Sequence, residues 1–140
     1  MSAKFVVLLI EDEESDVMLV SEALAGWKQP YELIPAATGP LAFDAINRLG
    51  RPPDLVLLDL NLPGEHGFEV LKRLRQSDSL KRVPVLILTT SSSPRDVDRA
   101  YDLCANAYLR KPMTLDGYLT LAKRVEEFWV ETASRPTTSG

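Results

Sequence analysis

Apolar residues fall into three nearly unbroken runs of strand length: Phe5 to Ile10, Leu55 to Leu60 interrupted only by Asp59, and Val83 to Leu88 around Pro84. Runs of this length without alternation predict strands covered on both faces of a sheet. Two less apolar segments, Tyr31 to Ala36 and Ala107 to Leu109, also read as strands. Pro35 lacks a ladder donor, so the first of these belongs at a sheet edge, and the low apolar content of the second places it at the other.

Helical spacing fills the intervals: Val17, Val20, Leu24 and Trp27; Ala42, Ala45, Ile46 and Leu49; Phe68, Leu71 and Leu74; Val97, Ala100, Tyr101 and Cys104; and Leu115, Leu119, Ala122, Val125 and Trp129. Each stripe suits a helix lying on a sheet face. Ser15 is a candidate N-cap, and Pro40 and Pro94 stand where helices start. Five strand-helix units with strand starts roughly 25 residues apart leave room for right-handed crossovers between parallel strands. The expectation is an α/β doubly wound, five-stranded parallel sheet in the order 2-1-3-4-5, flavodoxin-like, with its ligand site at the switch point between strands 1 and 3. The domain is expected over residues 4–130, and residues 131–140, without apolar periodicity, read as a disordered tail.

Length and charge narrow the partners. A chain of 140 residues suits one domain. Its formal net charge of −4 argues against a DNA-binding surface, which needs clustered positive charge. The apolar run near the N-terminus is too short for a signal peptide or a membrane span, and the single cysteine, Cys104, forms no internal disulfide. A cytoplasmic location is the simplest expectation.

The polar residues that close the strands carry the chemistry: Glu11 and Asp12 after strand 1, Asp59 at the end of strand 3, Thr89 after strand 4 and Lys111 after strand 5. The topology brings them to one sheet edge. Three carboxylates gathered there repel one another unless a cation joins them. Oxygen-only ligands favour Mg²⁺ over zinc or copper, and Mg²⁺ pairs carboxylates with phosphate oxygens. Asp59 is the candidate nucleophile for an aspartyl phosphate. Asp12 is expected as the principal metal ligand with Glu11 beside it, Lys111 as the cation for the phosphoryl oxygens, and Thr89 as a hydroxyl donor.

Taken together, Leu9-Ile10-Glu11-Asp12-Glu13, Leu57-Leu58-Asp59-Leu60-Asn61-Leu62-Pro63, Val85-Leu86-Ile87-Leu88-Thr89-Thr90 and Tyr108-Leu109-Arg110-Lys111-Pro112 resemble the receiver domain of two-component response regulators over residues 4 to about 130. The resemblance implies phosphorylation of Asp59 by a histidine kinase or a phosphotransfer protein, with the backbone carbonyl of Asn61 completing the metal shell. It implies switch roles for Thr89, Thr90 and Tyr108, with Tyr108 turning inward and the helix 4, strand 5, helix 5 surface changing shape. It also implies that Asn61 and Ser91 tune phosphoryl hydrolysis and that the Lys111-Pro112 bond is cis. The stretch Glu11 to Val17, the Asp59-Leu60-Asn61-Leu62-Pro63 loop and Thr89-Thr90-Ser91 are similar to those of small receivers partnering phytochrome-type histidine kinases. With few residues beyond the fifth helix, a stand-alone receiver is expected, signalling through contact and possible homodimerisation by the helix 4, strand 5, helix 5 face.

Other features weigh less. His66, the one histidine, has no companion at ligand spacing and reads as an exposed loop residue. Cys104 stands at the helix 4 exit where such receivers usually carry glycine, so it is either strained or the helix ends differently. Gly64 points to a pliable loop beside Asp59, and Trp27 and Trp129 to seams between helix and sheet. Two competing functions are an aspartyl-nucleophile phosphatase, which usually has an acid where this chain has Asn61, and a phosphorylation-independent binding module, including a flavin-binding domain.

Overall fold

The computed structural model describes residues 4–132. Strands β1 (Phe5–Ile10), β2 (Tyr31–Ala36), β3 (Leu55–Leu58), β4 (Val85–Thr89) and β5 (Ala107–Arg110) alternate with helices α1 (Glu14–Leu24), α2 (Gly39–Leu49), α3 (Gly67–Gln76), α4 (Pro94–Asp102) and α5 (Leu115–Val125). All strand pairs are parallel, in the order β2-β1-β3-β4-β5. The expected fold and edge placement are therefore met. Pro35 lies opposite Leu9 on edge strand β2, where its missing N–H leaves no inner ladder bond unmade.

Successive strand residues face opposite sides. Leu8, Ile10, Val56, Leu58, Val85 and Ile87 pack under α2, α3 and α4, while Val7, Leu9, Leu55, Leu57, Leu86 and Leu88 pack under α1 and α5. Each fully buried side chain of this kind contributes about 1.5–3 kcal/mol. Two apolar layers thus hold the strand ends rigidly where β1 and β3 part their connections.

Helix starts follow local chemistry. Thr38, Ser93 and Thr114 accept backbone N–H bonds at the caps of α2, α4 and α5, and Pro40 and Pro94 fill first-turn positions. At α3 the cap is His66, whose Nδ1 accepts from Phe68 N at 3.1 Å while its exposed ring stacks on Phe68. Ser15 is not the cap of α1: Glu13 holds that position without a side-chain bond, and Glu11 Oε2 receives the Glu13 N–H instead.

The C-terminal end runs further than its composition suggests. A π-helical segment, Glu126–Thr132, continues α5, so Glu131 and Thr132 are helical rather than tail. Glu126 is buried and accepts from the backbone N–H groups of Lys28 and Gln29, which anchors the segment. The remainder of the expected tail, 133–140, lies outside the described residues. Trp27 does seal a seam, its indole N–H donating to Ala122 O at 2.8 Å between edge-on Phe5 and Tyr31 rings. Trp129 is half-buried against the same layer.

Candidate functional site

The C-terminal ends of β1, β3, β4 and β5 converge on one acidic pocket. Glu11 follows β1 with its N–H bound to Ala36 O, and Asp59 follows β3 with its N–H bound to Ile10 O. Both carboxylates are nearly sealed from solvent, at 3% and 4% exposure. The backbone behind Asp59 is pressed against the start of α3. Gly67 N donates to Leu60 O, and a Cβ on Gly67 would meet Asp59 O at 2.4 Å. Only glycine fits there, so the close approach that fixes Asp59 is written into one residue. Gly64, three residues earlier, has φ +82°, a left-handed turn that favours glycine.

Lys111 enters from β5, its N–H held by Thr89 O. Its ammonium is buried among three carboxylates: Glu11 Oε1 in close contact, Asp16 Oδ2 at 2.9 Å and Asp59 Oδ2 at 3.2 Å. Burial alone would lower the Lys111 pKa, but the hydrogen bonds to Glu11 and Asp16 and the charge of Asp59 raise it above the usual lysine value. Glu11 moves the other way from an ordinary ion-paired acid. Burial, helped by the charge of Asp59 and opposed by the Lys111 hydrogen bond, pushes it up to about 7.

Asp16 and its neighbour Tyr118 were not among the candidates from sequence. The Tyr118 hydroxyl donates to Asp16 Oδ1 at 3.3 Å, and burial followed by the Asp16 charge pushes that phenol up to about 12. An acid in the first turn of a helix reads as a solvated dipole partner, which hides its reach toward a lysine 95 positions away.

Glu11, Asp12 and Asp59 each offer a carboxylate oxygen within 4.8 Å of the others. Asp12 Oδ1 is buried without a hydrogen-bond partner. A buried anionic oxygen without a donor is costly, and hard oxygen donors of this kind suit a divalent cation. The donor set therefore fits a divalent cation.

The remaining candidates divide. Thr89 is fully buried at the end of β4 with Oγ1 3.4 Å from Ser91 N. Tyr108 is half-buried against the α3–α4 layer, and its hydroxyl donates to Ser91 O at 2.9 Å. Thr90 is exposed on the loop after β4. The Ser91 hydroxyl is committed to Asp96 Oδ2 at 2.6 Å, which ties it to α4. Asn61 is exposed, with its N–H 3.4 Å from Asp59 Oδ1. The Lys111-Pro112 bond, expected cis, is trans.

Fold, acidic pocket and lysine together match a known pattern. The sequence model for the response regulator receiver domain covers residues 7–123 of this chain. The chain belongs to the response regulator receiver family. This receiver is 40% identical over 136 residues to response regulator Rcp1 of Synechocystis, covering 94% of this chain and 92% of that protein. The crystal structure of the phosphorylated cyanobacterial phytochrome response regulator RcpA superposes with a TM-score of 0.89 at 37% identity, over 96% of this receiver and 100% of that chain. The Mn²⁺-bound form of Rcp1 superposes with a TM-score of 0.84 at 39% identity, over 94% and 99% respectively. Among the described residues no helix of the receiver is long and apolar enough to cross a membrane.

Proposed function

We propose that this receiver accepts a phosphoryl group on Asp59 from a sensor histidine kinase or a phosphotransfer protein and passes the signal through the surface of α4, β5 and α5. The observation that carries the reading is the convergence of a buried ammonium and an acidic metal-type cluster on Asp59. Mg²⁺ is the assigned cation, which Glu11, Asp12, Asp59 and the backbone carbonyl of Asn61 would hold. When bound, it neutralises charge on the transferred phosphoryl oxygens. Asp59 supplies the attacking oxygen, Lys111 a fixed positive charge, and Thr89 a hydroxyl donor. Asn61 and Ser91 are assigned to tuning hydrolysis, Ser91 through its tie to α4, and exposed Thr90 to the switch loop.

A phytochrome-type kinase is the assigned donor, supported by the likeness to RcpA, which is named for a phytochrome. A signalling rather than a hydrolytic role follows from Asn61, whose amide has no acidic proton to give a leaving group. The same α4, β5, α5 face is assigned to homodimer contact.

The test is intact mass after incubation with acetyl phosphate, with and without Mg²⁺, on the parent and Asp59→Asn. A Mg²⁺-dependent adduct confined to the parent is expected. No adduct in a folded parent leaves a phosphorylation-independent binding module, and steady release of inorganic phosphate from a phosphomonoester returns the phosphatase reading. Sedimentation of the same samples reads the dimer, and an unchanged monomer in both states sinks that part.

A further inference from the structure

Lys111 has three ammonium protons and three carboxylates within reach, one for each donor. Phosphoryl transfer requires two of these partners for other work. Asp59 becomes the acceptor, and Glu11 belongs to the metal-type cluster. Asp16 alone is outside that cluster, on a different element, and it is held from behind by the buried Tyr118 hydroxyl on α5.

We infer that Asp16 is a positioning residue for phosphoryl transfer, holding the Lys111 ammonium beside Asp59 once Glu11 is drawn to the metal, with Tyr118 orienting Asp16. This rests on the reading of Asp59 as phosphoacceptor. In the step itself an Asp59 oxygen forms a bond to phosphorus while the bond from phosphorus to the acetate oxygen of acetyl phosphate breaks. Acetate leaves with that electron pair, and Lys111 meets the phosphoryl oxygens without losing its proton. With Glu11 and Asp59 engaged elsewhere, a long lysine side chain without a tether would sample several positions, whereas the Asp16 carboxylate 2.9 Å from Nζ restricts it to the productive one.

The experiment compares phosphorylation rates by intact mass for the parent, Asp16→Asn, Tyr118→Phe, Lys111→Ala and the Asp16→Asn/Lys111→Ala double variant, at several Mg²⁺ concentrations. Asp16→Asn is expected to slow uptake about tenfold, by loss of alignment. The Mg²⁺ concentration for half-maximal rate stays within about twofold, since Asp16 stands outside the metal cluster. Tyr118→Phe is expected to slow uptake to a smaller extent. In the Lys111→Ala background, Asp16→Asn costs nothing further, because its effect passes through the lysine. A second readout needs no phosphodonor. The ¹⁵N-detected Lys111 ammonium signal, assigned through Lys111→Arg, should shift and broaden in Asp16→Asn. A parent that takes up no phosphoryl group overturns the Asp59 reading and this one with it. A labelled parent whose Asp16→Asn variant is equally fast, or equally impaired with and without Lys111, overturns the role of Asp16 alone. A misfolded Asp16→Asn transfers the decision to Tyr118→Phe, where a parental rate and an unmoved ammonium signal overturn it.

Discussion

At the scale of single residues, Cys104 and Glu11 each hold a conformation or charge state at some cost. Cys104 is in the left-handed region at φ 69°, the strained alternative of the two that the sequence left open. Arg75 holds it there, donating from Nε and Nη2 to Cys104 O while Nη1 reaches Lys81 O and Val83 O. A non-glycine residue in this region costs about 1–2 kcal/mol, and glycine loses about 0.5–1 kcal/mol more backbone freedom on folding. Cys104→Gly should therefore stabilise the protein by about 0.5–1 kcal/mol, read as a higher denaturant midpoint at unchanged m. Glu11 ties stability to pH. Its value of about 7, against an ordinary 4.5, means the folded state binds the proton more tightly than the unfolded chain. This contribution is complete below pH 4.5 and fades as pH rises to about 7, a loss of about 3 kcal/mol. Lys111, raised in the same pocket, stays charged throughout that window. Metal binding needs the ionised carboxylate, so a divalent cation added at pH 6 should release a proton, and its affinity should climb with pH and level off above 7. Calorimetry in buffers of different ionisation enthalpy checks both the proton count and the plateau.

At the scale of elements, the start of α3 is the seat of Asp59. Gly67→Ala forces its new methyl group against the Asp59 carbonyl at 2.4 Å and Leu60 Cα at 2.7 Å, atoms of the backbone that cannot swing aside. The expected cost is about 1–3 kcal/mol in stability, with a shift of Asp59 that also slows phosphoryl uptake. Urea unfolding and the intact-mass assay read the two effects separately. What the sequence displayed of these elements follows from periodicity. The buried runs of β1, β3 and β4 and the proline on edge strand β2 were legible because burial on two faces and loss of a donor act locally. The convergence of Glu11, Asp12, Asp59 and Lys111 was legible because parallel strands end on one side. Gly67 was not singled out, since its requirement arises from a backbone eight residues earlier in the chain and folded against it. The helical course of Glu131 and Thr132 was hidden for a similar reason: it hangs on Glu126 receiving two N–H groups from a loop at Lys28 and Gln29. The pairing of Asp16 with Lys111 and Tyr118 crosses the whole chain, and no local pattern records it.

At the scale of the whole molecule, the route from the acidic pocket to the outer face is a short chain of hydrogen bonds. Thr89 closes β4 inside the pocket, Ser91 N lies near its hydroxyl, and the Ser91 hydroxyl engages Asp96 on α4. From the other side Tyr108 on β5 donates its hydroxyl to Ser91 O, and its own N–H is received by the Tyr101 hydroxyl of α4. Ser91 is thus the point where β4, α4 and β5 meet, and a displacement of Thr89 would reach all three. Tyr108→Phe removes one bond from this junction while leaving the ring packed. A lost hydrogen bond of this kind costs about 1 kcal/mol, and the cost should fall on the loop and the first turn of α4 rather than on the strands beneath. Amide exchange should therefore quicken at residues 91–97 and stay at parental rates in β1 and β3. Uniform acceleration across the sheet would mean that Tyr108 supports the core as a whole, and unchanged exchange at 91–97 would mean that the loop is held by Asp96 alone.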